Sequence, residues 1–296
     1  MFAKAIAVLT ASIVVLASSA SAADSTFVGW KRTLMVDLTT TQTAYSNSWV
    51  GGEAGSLNWV SNLTGAAEKQ FKPWINFRSS LKLSFGQTLT QDDSTKRWSK
   101  PRKSTDLIDW DNLTRFTFEA FVDPYVAFRI QSQFTTELSS VKTVYLIPTT
   151  LTESAGLARR FYTRGKDDQV TSRFGFGIRQ TFRKALEGTT VVDSTLNDGG
   201  IESVTDASLT IQKNLRYVGK LSFFKAVYFS QKSQTAGTPF ANDWKAIHVN
   251  WENLVAANVT KIVTVTLYAQ FLYDKPISYR GRIKETLGLG FAFKLV

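Results

Sequence analysis

"LGLGFAFKLV", Leu287 to Val296, decides how the rest of the chain is read. Leu287, Leu289, Phe291, Phe293 and Leu295 fall on one side of an extended strand. Gly288, Gly290, Ala292 and Lys294 fall on the other. Terminal residues of soluble domains usually fray, yet this alternation holds to the last residues. A strand with a continuous apolar face cannot leave its edge open in hydrocarbon. The expectation is a sheet that closes by pairing its last strand with its first.

The same period of two recurs upstream. Val263, Val265, Leu267, Ala269 and Phe271 alternate with Thr264, Thr266, Tyr268 and Gln270. Phe174, Phe176, Ile178 and Phe182 alternate with Arg173, Gly175, Gly177, Arg179 and Thr181. Phe77, Leu81, Leu83 and Phe85 stand against Arg78, Ser80, Lys82 and Ser84. Helical periodicity is almost absent. Twelve strands are predicted, over residues 26–40, 56–66, 74–90, 104–121, 124–137, 147–163, 169–184, 200–214, 218–232, 244–256, 259–274 and 282–296. Pro148 and Glu153 interrupt the pattern of 147–163, and 218–232 is apolar on both faces.

The connections alternate in length. "AYSNSWVGGEAG", "QDDSTKRWSKPRK", "LEGTTVVDSTLNDGG" and "SQKSQTAGTPFAND" are long, while "FVDP", "RGKDD", "LRYVG" and "AANVT" are short. Long loops at one end, short turns at the other and an even strand number are the pattern of an outer-membrane barrel. A soluble β-sandwich also alternates, but these strands exceed the usual length of about 5–6 residues. The predicted fold is therefore all-β: a transmembrane, antiparallel, up-and-down barrel of about twelve strands, over residues 24–296.

The opposite end agrees with export. "MFAKAIAVLTASIVVLASSASAA", residues 1–23, has an early Lys4, an apolar centre and a run of small residues. This is the layout of a cleaved secretory signal peptide. The chain of 296 residues has no Cys and one His, so no disulfide, thiol nucleophile or thiolate metal site is available. No cofactor or metal is expected. Lys and Arg outnumber Asp and Glu, 35 to 24. In an exported chain without a nucleic-acid motif, that excess favours anionic lipid headgroups or acidic solutes, and nucleic acid is not expected as a partner.

At "NSWVGGEAGSLNW" (Asn47 to Trp59) the sequence resembles a family of Gram-negative outer-membrane proteins classified only as a domain of unknown function. "LSFGQTLTQDDSTKRWSKPRKSTDLIDWDN", "VNWENLVAANVTKIVTVTLYAQFLYDK" and "KETLGLGFAFKLV" are similar too, so the resemblance spans most of the mature chain. It implies a barrel in the outer membrane and no established reaction. No catalytic residue is carried over. The last strand also resembles the C-terminal signal read by the barrel-assembly machinery, an expected partner, although that signal more usually ends on Phe.

Strand parity names the lumen-facing charges. The basic ones are Arg78, Lys82, Arg115, Arg129, Arg173 and Arg179; the acidic ones are Asp109, Asp111, Glu119, Glu202, Asp206 and Glu252. They admit two readings: the constriction of a selective pore, or ion pairs that hold a narrow lumen shut. A second cluster, "KRWSKPRKS", puts Lys96, Arg97, Lys100, Arg102 and Lys103 in one extracellular connection, facing outer-membrane lipids including lipopolysaccharide. His248 lies on the inner face with Asn250 and Glu252; no serine-hydrolase motif accompanies it. Trp30, Trp59, Trp74, Trp110 and Trp251 are placed within strands, as interfacial girdles.

The expected function is non-enzymatic: a barrel that passes or binds a small solute or lipid through a charged lumen. The alternative is a plugged structural or interaction barrel that supports the envelope or a surface partner. A lipid hydrolase built on His248 ranks third.

Overall fold

The structure, a computed structural model, describes residues 29–44, 54–92, 94–118, 120–139, 142–165 and 168–294. The predicted signal peptide, most of the Gly-Gly-Glu loop and Glu119 lie outside the described residues.

The strands are β1 (Lys31–Thr43), β2 (Ser56–Lys72), β3 (Ile75–Thr90), β4 (Arg102–Phe116), β5 (Asp123–Ser132), β6 (Thr135–Ser139), β7 (Lys142–Tyr145), β8 (Thr149–Arg164), β9 (Asp168–Glu187), β10 (Thr190–Gln212), β11 (Leu215–Phe229), β12 (Ile247–Asn258), β13 (Val263–Tyr273) and β14 (Arg282–Lys294). All but β6 and β7 form one closed antiparallel barrel of twelve strands, each next to its neighbour in sequence. β6 and β7 make a separate hairpin in the connection from β5 to β8.

The period of two explains both surfaces. Outward residues are large and apolar, and they stay uncovered: Phe174 is 62% exposed and Leu287 72%. So broad an apolar exterior belongs to a membrane-spanning barrel, where lipid covers it. Inward residues are mostly small or polar, with Tyr125 and Phe224 among the large exceptions. At one level Tyr125 on β5 is paired with Gly156 on β8, which is paired with Gly175 on β9. A Cβ on either glycine would lie 2.2 Å from a carbonyl oxygen of the adjoining strand. Tyr125 fills the space so left, and its hydroxyl would be 2.8 Å from a Cβ on Gly175. It is 2% exposed.

Two expectations need correction, the loop after β9 and the placing of two tryptophans, while the strand predicted over 147–163 forms. "LEGTTVVDSTLNDGG" is not a long loop: β9 and β10 turn at Gly188 and Thr189, with Gly188 at a left-handed φ of 62°. β9 leaves β8 after Phe182, and β10 meets β11 only from Asp198, so residues 183–197 project as a two-stranded arm. The β9–β10 ladder runs unbroken through the arm, and Lys184 and Asp193 pair across it at 2.7 Å. Glu153 does not break β8; it takes the outward, exposed face, while Thr152 and Ser154 point inward and are buried. Trp30 precedes β1, and Trp74 sits in the turn between β2 and β3. Both join an aromatic belt at the short-turn end: Trp30 lies edge-on to Phe71 at 5.7 Å, and Trp74 stacks on Phe118 at 6.2 Å.

Closure runs through the C-terminal stretch. β14 pairs β1 from Met35–Lys294 to Thr39–Gly290. β1 pairs β2 along its whole length, from Lys31 to Thr43.

Candidate functional site

The inward charges converge at mid-height. Asp109 and Asp111 sit two residues apart on β4, so both face the lumen. Asp109 accepts a two-pronged contact from its diagonal neighbour Arg129 on β5, Nε at 2.7 Å and Nη2 at 2.6 Å. That parallel fork is the strongest ordinary carboxylate geometry. Asp111 reaches further. It accepts from Lys220 Nζ of β11 at 2.9 Å and from Arg173 Nη2 of β9 at 3.1 Å.

β4 and β11 lie on nearly opposite sides of the ring, so the Lys220–Asp111 bond crosses the lumen. A second crossing joins Lys82 of β3 to Glu252 of β12 at 3.2 Å. Glu252 also accepts from Asn250, which is held by Gln270. Arg173 lies 3.7 Å from Glu202, whose other contact is Ser154 at 3.1 Å. These groups are buried: Asp109 and Arg173 are each 4% exposed, and Lys220 is 7%. Charges removed from water need their partners, and here cations and carboxylates alternate across the lumen.

The remaining candidates flank this network. Toward the long loops, Arg179 binds Asp198 through Nε at 2.8 Å and lies 3.7 Å over the Phe224 ring. Nearby, His248 Nδ1 is 3.3 Å from Asp274. Among the described residues no hydroxyl is hydrogen-bonded to His248. Toward the short turns, a recess of about 50 Å³ is lined by Arg78, Arg115, Arg160, Glu68 and Asp206, among others. Arg115 contacts Asp123, and Arg160 contacts Glu68. Arg78 and Asp206 line the recess without an ion pair among the described residues.

Sequence reading missed Lys220, Arg160, Glu68 and Asp198. Lys220 sits in the strand whose two faces are both apolar, and only its register opposite Glu252 and Asp206 marks it as inward.

The basic connection divides. Arg102 and Lys103 belong to β4. Lys103 donates to Asp106 at 3.0 Å, to Gln133 and to the Thr135 carbonyl. Before it, Asp92 accepts from the Thr95 amide at 2.7 Å and from the Ser94 and Thr95 hydroxyls. Those bonds, the Thr95 amide foremost, lower the Asp92 carboxyl to about 2. Gln91 bridges to Trp98, which folds the loop back on itself. Lys96, Arg97, Lys100 and Arg102 are exposed.

Residues 40–137 match a family model described as a protein of unknown function, DUF3078. No curated protein matches the sequence. Among solved structures, the chain is similar to an outer-membrane channel from Pseudomonas putida F1, with 11% identity over 94% of this chain and 98% of that one, and a TM-score of 0.39. It is similar to the translocator domain of the autotransporter NalP from Neisseria meningitidis, with 8% identity over 89% and 88% and a TM-score of 0.37. It is similar also to the NanC porin, with 9% identity over 89% of this chain and all of that one, and a TM-score of 0.36.

Proposed function

We propose that this is a non-enzymatic barrel of the bacterial outer membrane whose lumen is shut at mid-height by ion pairs. Residues 1–23 direct its export, the short turns face the periplasm and the long connections face outward. The assembly machinery reads β14. One observation carries the closed lumen: Asp111 binds Lys220 across the ring while Lys82 binds Glu252. Two crossings at one level leave opposed vestibules and no through-path for a hydrated solute. The network thus favours ion pairing over a selective constriction, and the barrel works through its loops and its lipid-facing surface.

The test is single-channel conductance of the refolded mature chain in a planar bilayer. The wild type should be silent. The variant combining Lys82→Ala with Asp111→Ala should show steps, because both crossings are gone. Stable, ion-selective steps in the wild type would overturn the closed lumen and restore the solute-pore reading. Fatty-acid release from phospholipid by the purified wild type, lost in His248→Ala, would overturn the non-enzymatic part.

A further inference from the structure

The outer wall of β1, β2 and β3 carries two cations at its short-turn end. Asn76 donates to Glu68 inside the lumen at 3.2 Å, so Lys69 and Phe77, each one residue further along, face lipid. Arg32 is paired with Ala67 and shares that outer face. Trp30, Phe71 and Phe77 pack together there, with ring centroids 5.7, 6.2 and 6.4 Å apart. Lys69 Nζ lies 5.6 Å from the Trp30 ring and 5.2 Å from the Phe71 ring, and the Arg32 guanidinium lies 5.7 Å from Trp30.

Aromatic faces attract these cations without neutralising them. Among the described residues neither Arg32 nor Lys69 makes an ion pair. Glu68, next to Lys69 in the chain, is turned to the lumen, where it meets Asn76 and Arg160. A cation on the lipid-facing side of a barrel is strongly destabilising at mid-membrane and nearly neutral at the interface. The two cations therefore stand at headgroup depth, where lipid phosphates lie. Toward mid-membrane the wall beside them is indented. Ala67 and Gly65 of β2 are flanked by Leu34 of β1 and Leu81 of β3, and a Cβ on Gly65 would come no closer than 3.5 Å to a side chain, that of Leu34.

We propose that this part of the wall binds an anionic phospholipid of the periplasmic leaflet. Its phosphate lies between Arg32 and Lys69, beside the three aromatic rings. One acyl chain runs along Ala67 and Gly65, between Leu34 and Leu81. The charge complementarity is local: two cations side by side, with no acid on the same face of these strands. The site rests on the barrel spanning the membrane with its short turns toward the periplasm; it does not rest on the lumen being closed, which conductance tests separately.

The experiment uses the full mature chain in detergent, titrated with phosphatidylglycerol and followed by native mass spectrometry. Phosphatidylglycerol should be retained over phosphatidylcholine. Arg32→Gln with Lys69→Gln should weaken its retention about 25-fold, at about fivefold per charge. Arg97→Gln with Lys100→Gln removes two exposed charges at the long-loop end and should leave retention unchanged. Gly65→Leu fills the indentation without altering a charge and should also weaken retention. Inorganic phosphate at millimolar concentration should not displace the lipid. These substitutions lie on the outer wall or in a loop, so each variant should keep the fast-migrating folded band on unheated gels. Equal retention of the two lipids, or wild-type retention in the Arg32→Gln, Lys69→Gln variant, would overturn the proposal. So would an equal loss in the Arg97→Gln, Lys100→Gln variant, which would mean that net charge alone decides, or displacement by inorganic phosphate, which would mean a site for a free anion. A wild type without the folded band would refute the membrane barrel itself, a failure that none of the lipid readings produces.

Discussion

Replacing Asp111 by Asn removes the charge on which two buried cations depend. Lys220, 7% exposed, loses its contact at 2.9 Å, and Arg173, 4% exposed, loses one at 3.1 Å. Breaking a buried ion pair from one side costs about 3–5 kcal/mol, because the remaining charge stays out of water. Arg173 keeps Glu202 at 3.7 Å, so the lower end, about 3 kcal/mol, is the expected loss. The assay is urea unfolding of the refolded barrel in phosphatidylcholine vesicles, read by tryptophan fluorescence. With a slope of about 3 kcal/mol per molar urea, the midpoint should fall by about 1 M. Adding Lys220→Met to Asp111→Asn removes the orphaned ammonium and should recover about 2 kcal/mol. An Asp111→Asn barrel that unfolds at the wild-type midpoint would refute the argument, as would a double variant no more stable than the single one.

Other outcomes follow from single contacts. Gly175→Val should displace both the β8 backbone and Tyr125, costing at least about 1–3 kcal/mol, and should shrink the fast-migrating folded band on unheated gels. The Asp92 loop should resist acid. Its carboxyl titrates at about 2 when folded against 3.8 ordinarily, so its contribution is complete above 3.8 and is lost as pH falls through 2. The Thr95 amide resonance should therefore hold its position at pH 4 and move with a midpoint near pH 2. Arg179→Ala should free Asp198 near the outer vestibule without opening the lumen, and conductance in that variant should stay silent.

The barrel was legible because its two surfaces meet different solvents. Phe174, Phe176 and Ile178 face lipid while Arg173, Gly175, Gly177 and Arg179 face the lumen, so one parity rule sorts the strand. The rule also named Asp109, Asp111, Arg129 and Arg173 as inward. It could not pair them, because a bond such as Lys220–Asp111 joins residues 109 apart in sequence and depends on barrel diameter and strand stagger. It failed on Lys220 because the lumen side of β11 also holds Val218, Phe224 and Ala226, which look like a lipid face. The β9–β10 arm was invisible for a different reason. "LEGTTVVDSTLN" is polar enough to read as a loop, and only its pairing makes it a strand extension.

That arm gives the molecule a built-in orientation marker. Arg183 to Glu187 carry it about 17 Å past the last contact with β8, at about 3.4 Å per residue. Its tip, Gly188 and Thr189, is exposed and lies beyond the last pairing of β9 with β8 at Phe182, so a short epitope inserted there leaves the closed ladder intact. Antibody staining of unbroken cells would then report which end of the barrel meets the outside world, and trypsin acting at Arg183 and Lys184 would report the same without any label.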